Sequence, residues 1–229
     1  MQTEDPSRYL APSEFVDSDH PAVREFAAQH AQGANERERA VALYYAVRDR
    51  FRYDPYRIDL SRDGMRASAV IANGYGWCVP KAALMAAACR AAGIPARLGF
   101  ADVRNHLSTQ RMRETMATDI FTWHGFADVL LEGRWVKATP AFNLALCERF
   151  GLHPLEFDGR NDSIYHAFDK SGQRHMEYLL DRGRFDDIPL DELVADFRTR
   201  YPRWLQEAGT RSQLSSGDFL ADVARETNA

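Results

Sequence analysis

The chain has 229 residues, 45% of them apolar and 27% charged, with a formal net charge of −4. That length and balance predict one sizeable core, or one domain with an appended subdomain, in an ordinary globular protein. The slight acidity and scattered arginines exclude nucleic acid as an indicated partner, and the longest uninterrupted apolar stretch, Ala82 to Cys89, is too short to span a membrane.

Taken in order, residues 1–34 read as an irregular arm punctuated by Pro6, Pro12 and Pro21, then a helix with Asp19 as its expected cap and Val23, Phe26 and Ala27 on one face. The opening MQTEDPSRYL lacks the basic start and apolar run of a secretory signal. Glu36 to Phe51 reads as a second helix, with Ala40, Leu43, Tyr44 and Val47 at spacings of three and four. A short extended piece at Arg52-Tyr53 follows, and residues 56–73 are polar and mixed.

The stretch from Gly74 to Arg97 organises the rest. Glycines and aromatics place Cys78 at the first turn of a helix that is apolar on all sides except for Pro80, Lys81 and Arg90. Such a helix is a central, buried one. Gly93 caps it and Ile94-Pro95 stops it. A thiol at a helix N-terminus sits where the positive end of the dipole favours a thiolate, so the sequence predicts an activated Cys78.

Ala96 to Val103 reads as a strand, Arg104 to Thr118 as a charged loop or short helix, and Trp123 to Leu131 as a second strand. Glu132-Gly133 turns the chain into a returning strand, Arg134 to Ala138, ended by Thr139-Pro140. A helix followed by a strand and an antiparallel hairpin describes an α+β core. Residues 35–145 are the expected catalytic core and 146–229 an extension packed on it. Within the extension, a short helix closes at Cys147 to Phe150, residues 151–172 are loop-like, Leu190 to Leu205 is helical, and Phe219, Leu220 and Val223 mark a last amphipathic helix.

A thiol nucleophile needs a base within hydrogen-bond reach and a third group to orient that base. Of seven histidines, only His124 starts a core strand, and Gly125 beside it leaves room for a helix to approach. Cys89 and Cys147 read as inert core thiols, because a lone buried cysteine usually behaves as a small hydrophobe. Three cysteines with no close pair predict a reduced, cytoplasmic setting rather than a disulfide framework. No HExxH, CxxC or phosphate-loop motif is present, so neither metal nor cofactor is expected.

GWCVPKAALMAAACRAAGIPARLGF and WHGFADVLLEGRWVKATP together resemble the active-site helix and the histidine block of the transglutaminase-like superfamily, a branch of the papain-like cysteine enzymes. The resemblance covers about residues 37–140. It implies a papain-like core in which a buried helix carrying the cysteine packs on an antiparallel sheet, with Cys78 as nucleophile and His124 as base. The family's third residue is usually an Asp immediately before the closing proline, where this chain has Thr139. Asn143 is the favoured substitute, as in a Cys-His-Asn arrangement, with Thr139 in reserve. Asp128, roughly 13 Å along the strand from His124, is too far away to touch its ring.

Oxyanion donors are expected from the Cys78 amide, the Trp77 indole, or Tyr53 and Tyr56, and Lys81 lies one turn from the thiol. The implied activity is acyl transfer or hydrolysis at an amide or peptide bond through a thioester. The expected partner is a peptide, protein or small amide substrate. The alternative is a catalytically degenerate domain that binds a peptide or protein in the same cleft. The sequence is silent on oligomeric state.

Overall fold

The computed structural model describes residues 5–105, 108–164, 170–172, 175–202, 204, 205, 211 and 216–227. After a 3-10 turn at Pro6–Leu10, the chain forms α1 (Pro21–His30), α2 (Glu36–Arg50), β1 (Arg52–Tyr53), α3 (Ala67–Asn73) and β2 (Tyr75–Gly76). Then come α4 (Cys78–Ala91), β3 (Ala96–Asn105), α5 (Gln110–Met116), β4 (Ile120–Leu131) and β5 (Arg134–Ala138). The rest forms α6 (Leu144–Arg149), β6 (Met176–Phe185), α7 (Leu190–Arg200) and α8 (Phe219–Thr227).

α4 is the central helix that its composition predicts. Every residue from Cys78 to Arg90 is buried, including Lys81 and Arg90. Its C-terminus closes as a Schellman motif: Ile94 N–H donates to the Cys89 carbonyl (2.9 Å) and Gly93 N–H to the Arg90 carbonyl (3.0 Å). Gly93 takes φ +78°, a left-handed conformation that glycine adopts at little cost.

Four antiparallel strands form the main sheet, in the order β5-β4-β3-β6. α4 packs on β4 most closely at Gly125, where an added Cβ would stand 3.0 Å from the Val79 Cα. Glycine there lets the helix backbone reach the strand. α1, α2 and α3 surround the rest of α4. One apolar core runs without a break from Phe15 to Val223, so residues of all three sequence segments share it.

Several elements differ from expectation. α1 is capped by the His20 ring, which accepts from Ala22 N–H (3.3 Å), rather than by Asp19. α3 occupies the apolar SAVIA end of the mixed 56–73 stretch, where the sequence pattern predicts no helix, whereas α6 closes at Arg149 with Phe150 as its cap, within the span expected to end a short helix. β6 is the larger surprise: it pairs with β3 from Leu98↔Phe185 to Asn105↔Met176 and completes the sheet on that side. No described helix is long and apolar enough to cross a membrane.

Candidate active site

Cys78 is the first residue of α4 and only 7% exposed. The backbone amides of Gly125, Val79 and Cys78 itself point at its sulfur, yet burial dominates and pushes the thiol up to about 11. The expected thiolate is therefore not the resting form. A helix dipole offers about 1 kcal/mol, whereas a rise of this size from 9.0 corresponds to about 3 kcal/mol. Burial wins.

Lys81 does not assist the sulfur either. Fully buried, its Nζ donates to the carbonyls of Arg48 (3.0 Å), Phe51 (2.6 Å) and Ala141 (2.8 Å). It ties the end of α2 and the chain after β5 to the first turns of α4. Its role is structural.

His124, 6% exposed, lines the same cavity as Cys78. Its place on β4 follows from a bulge. Between the pairs Ala101↔His124 and Val103↔Phe121, β4 has two residues, Thr122 and Trp123, where β3 has Asp102 alone. Trp123 takes φ +60°, an unusual left-handed conformation for so bulky a side chain. Both extra amides find side-chain acceptors: Thr122 N–H donates to the Tyr201 hydroxyl (2.8 Å) and Trp123 N–H to Asp102 (3.2 Å). Asp102 is gripped by Arg182 of β6, whose Nη2 lies 2.9 Å from Oδ2 and whose guanidinium covers the Trp123 ring at 4.6 Å. A bulge so held re-aims the residue that follows it, here His124.

Thr139 donates its hydroxyl to the Ile164 carbonyl (3.1 Å), and its own carbonyl accepts from the Tyr44 hydroxyl (3.3 Å). Asn143, 8% exposed, accepts the Tyr53 N–H on Oδ1 (3.0 Å), which ties β1 to the start of α6. Neither side chain lines the cavity, whereas Tyr53 and Trp77 do. The Trp77 indole nitrogen is buried without a hydrogen-bond partner among the described residues. Tyr53 lies close enough to Cys78 for the two to interact, and burial first, then that thiol, holds its phenol well above its ordinary value. The Tyr56 hydroxyl is engaged elsewhere, donating to Asp222 and bonded to Thr109, each at 2.7 Å. Asp128 pairs with Arg97 (3.0 Å) and Arg184 (3.2 Å).

Among the other histidines, His20 caps α1, His30 packs against Phe26 and His153 is exposed. His106 and His166 lie outside the described residues. His175 is buried and stacks on Phe142 (5.9 Å between rings), one residue before the cavity-lining Met176. Sequence reasoning missed that segment because nothing in it alternates. Among the described residues, no group of three His, Cys, Asp or Glu side chains is placed to hold a metal ion.

A buried cysteine at the N-terminus of a central helix, packed on an antiparallel sheet beside a strand histidine, defines a papain-like α+β core. Residues 24–140 match the transglutaminase-like superfamily, and the chain belongs to it. Two solved structures are similar to it. One is a candidate cysteine protease from Cytophaga hutchinsonii, with TM-score 0.45 and 16% identity, covering 80% of this chain and 54% of that one. The other is a candidate protease from Parabacteroides distasonis, with TM-score 0.37 and 18% identity, covering 55% of this chain and 26% of that one. The chain thus spans about half the length of the first and a quarter of the second. Comparison with curated proteins gives no match.

Proposed function

We propose that this protein is a thiol-dependent hydrolase or acyltransferase acting on an amide or peptide bond, with Cys78 as nucleophile and His124 as base. The observation that carries this reading is that Cys78, His124 and Trp77, whose indole nitrogen has no hydrogen-bond partner among the described residues, line one cavity. Superfamily membership supports the same class of chemistry.

Because burial keeps the resting thiol protonated, attack and proton transfer are coupled. The Cys78 proton passes to His124 as the carbon–sulfur bond forms and the carbonyl pair moves onto oxygen. Developing charge on that oxygen meets the Trp77 indole N–H and the amide at the start of α4, donors fixed before reaction. The imidazolium then protonates the departing amine, leaving a thioester. Water or a second amine, relieved of a proton by His124, attacks the thioester and releases the thiol. Both outcomes use the same groups. Three buried thiols support a reducing, cytoplasmic setting.

The test is incubation with activated esters and peptide amides, with intact-mass detection of an acyl group on Cys78. Wild type is expected to accumulate the adduct and turn over, and Cys78→Ala to do neither. Loss of about 10³-fold or more in turnover is the expected scale for removing the nucleophile. Equal turnover by Cys78→Ala sinks the proposal in favour of the binding-only alternative. Thr139→Val and Asn143→Ala distinguish the two candidate orienting groups: the variant that displaces the pH profile of turnover identifies the residue behind His124.

A further inference from the structure

The family match ends at Pro140, but the Cys78 cavity does not. Much of its wall comes from later residues: Phe142, Met176 at the start of β6, Phe197 in α7, then Tyr201 and Trp204. Met112 and Met116 of α5 and Phe121 of β4 close another side. Among the described residues, none that lines this cavity carries a formal charge, and beside the thiol and the imidazole its polar side chains are Trp77, Asn105, Thr122, Trp204 and the tyrosines Tyr53 and Tyr201. Its volume is about 60 Å³. In the liquid a water molecule takes up about 30 Å³, and a dry cavity of about 150 Å³ accommodates benzene.

Those walls decide what can enter. A charged group would lose its hydration against methionine and aromatic side chains, with no Asp, Glu, Lys or Arg among the described lining residues to replace it. An apolar chain gains about 0.8 kcal/mol, or about fourfold, per methylene buried, until the space is full. Met112, Met116 and Met176 are unbranched and adapt to an irregular apolar shape better than branched residues do. Resting on the thiol reading above, we propose that the substrate group attached to the reacting carbonyl is a short, uncharged aliphatic chain of about two to four carbons. The acyl part stays on Cys78 after the amine has left, so it is the part this cavity must hold. Specificity is then written by the C-terminal segment, which lies beyond the part matched to the superfamily, together with α5, which lies within it like the thiol and the imidazole.

Two measurements test this. Nitrophenyl acetate, butyrate, octanoate and monosuccinate share a leaving group, so differences in kcat/KM report the acyl pocket. Butyrate is expected to exceed octanoate by about tenfold and succinate by about a hundredfold, and Met116→Ala to move the optimum toward octanoate. Separately, ligand-observed NMR titration of Cys78→Ala with butyramide, octanamide and succinamate reads the pocket without chemistry and should rank them in the same order. Equal affinity for succinamate and butyramide overturns the pocket proposal whatever the esters do. Ranked binding with no acyl adduct on wild-type Cys78 overturns the thiol reading and leaves the pocket standing. A chain-length profile unchanged in both Met116→Ala and Met176→Ala also overturns the pocket.

Discussion

Lys81 and Arg90, the charged residues of α4, each bond three main-chain carbonyls from outside that helix. Lys81 reaches Arg48, Phe51 and Ala141, and Arg90 reaches Ala11, Ala96 and Asp186. An ammonium has three protons to donate, so the Lys81 site fits its charged form; burial nonetheless pulls it down to about 7. Its ordinary value is 10.5. Between the two, the unfolded chain holds a proton that the folded chain has lost, so this group makes stability rise with pH above about 7 and leaves it flat below. Measured by urea denaturation, wild type should gain about 2 kcal/mol on Lys81→Met between about pH 7 and pH 9. The variant should also be the less stable protein by about 3 kcal/mol near neutral pH, because three buried carbonyls lose their donor. Cys78 gives a companion test. If His124 takes the thiol proton, wild type should be alkylated by iodoacetamide faster than His124→Ala at neutral pH, with the two rates converging as pH approaches about 11. Identical profiles would remove His124 as the base.

At the scale of elements, the bulge in β4 is the feature nearest to the chemistry and the least legible in the sequence. The strand, its hairpin and α4 could all be read, because alternation, a Glu-Gly turn and an all-apolar helix are local signals. The bulge could not, since Trp123 is a β-former in a β-pattern and nothing local requires φ +60°. Its support comes from Asp102, Arg182 and Tyr201, distant in sequence. Nor was β6 legible: MEYLLDRGRF has neither alternation nor a clean apolar run, and its exposed Leu179 and Leu180 obscure the pattern. It is an edge strand whose charges also suit an unpaired rim. Asp102→Ala should expose the dependence of His124 on this clamp. It leaves the Trp123 amide without its acceptor and Arg182 with only Asp196, at an expected cost of about 3 kcal/mol. At temperatures where the variant stays folded, its kcat for ester turnover should fall about tenfold or more with KM little changed. Asp102→Asn, which keeps an acceptor for the Trp123 amide, should retain part of that rate. A kcat that stays at the wild-type level would show that the bulge holds the sheet without positioning the imidazole.

Over the whole molecule, the division into arm, core and extension that the sequence invites meets a core that ignores those boundaries. β6 supplies the neighbour of β3, and Leu190, Leu193, Phe197, Tyr201, Trp204, Phe219 and Val223 are all buried in or against the same cluster. At about 2 kcal/mol for each such side chain, their burial is comparable to the entire net stability of a typical domain, about 5–15 kcal/mol. Removing them also strips one edge from β3 and one wall from the Cys78 cavity. A fragment ending at residue 145 retains every residue of the family match. It should nevertheless show no cooperative thermal transition by circular dichroism, bind a dye for exposed apolar surface, and lose any protection of the Cys78 thiol from alkylation. Adding residues 146–229 as a separate polypeptide should restore the transition if the two parts fold only together. If the 1–145 fragment instead melts cooperatively with Cys78 still protected, the C-terminal segment is an accessory to a core that stands by itself, and substrate selection can be altered by exchanging that segment without cost to the fold.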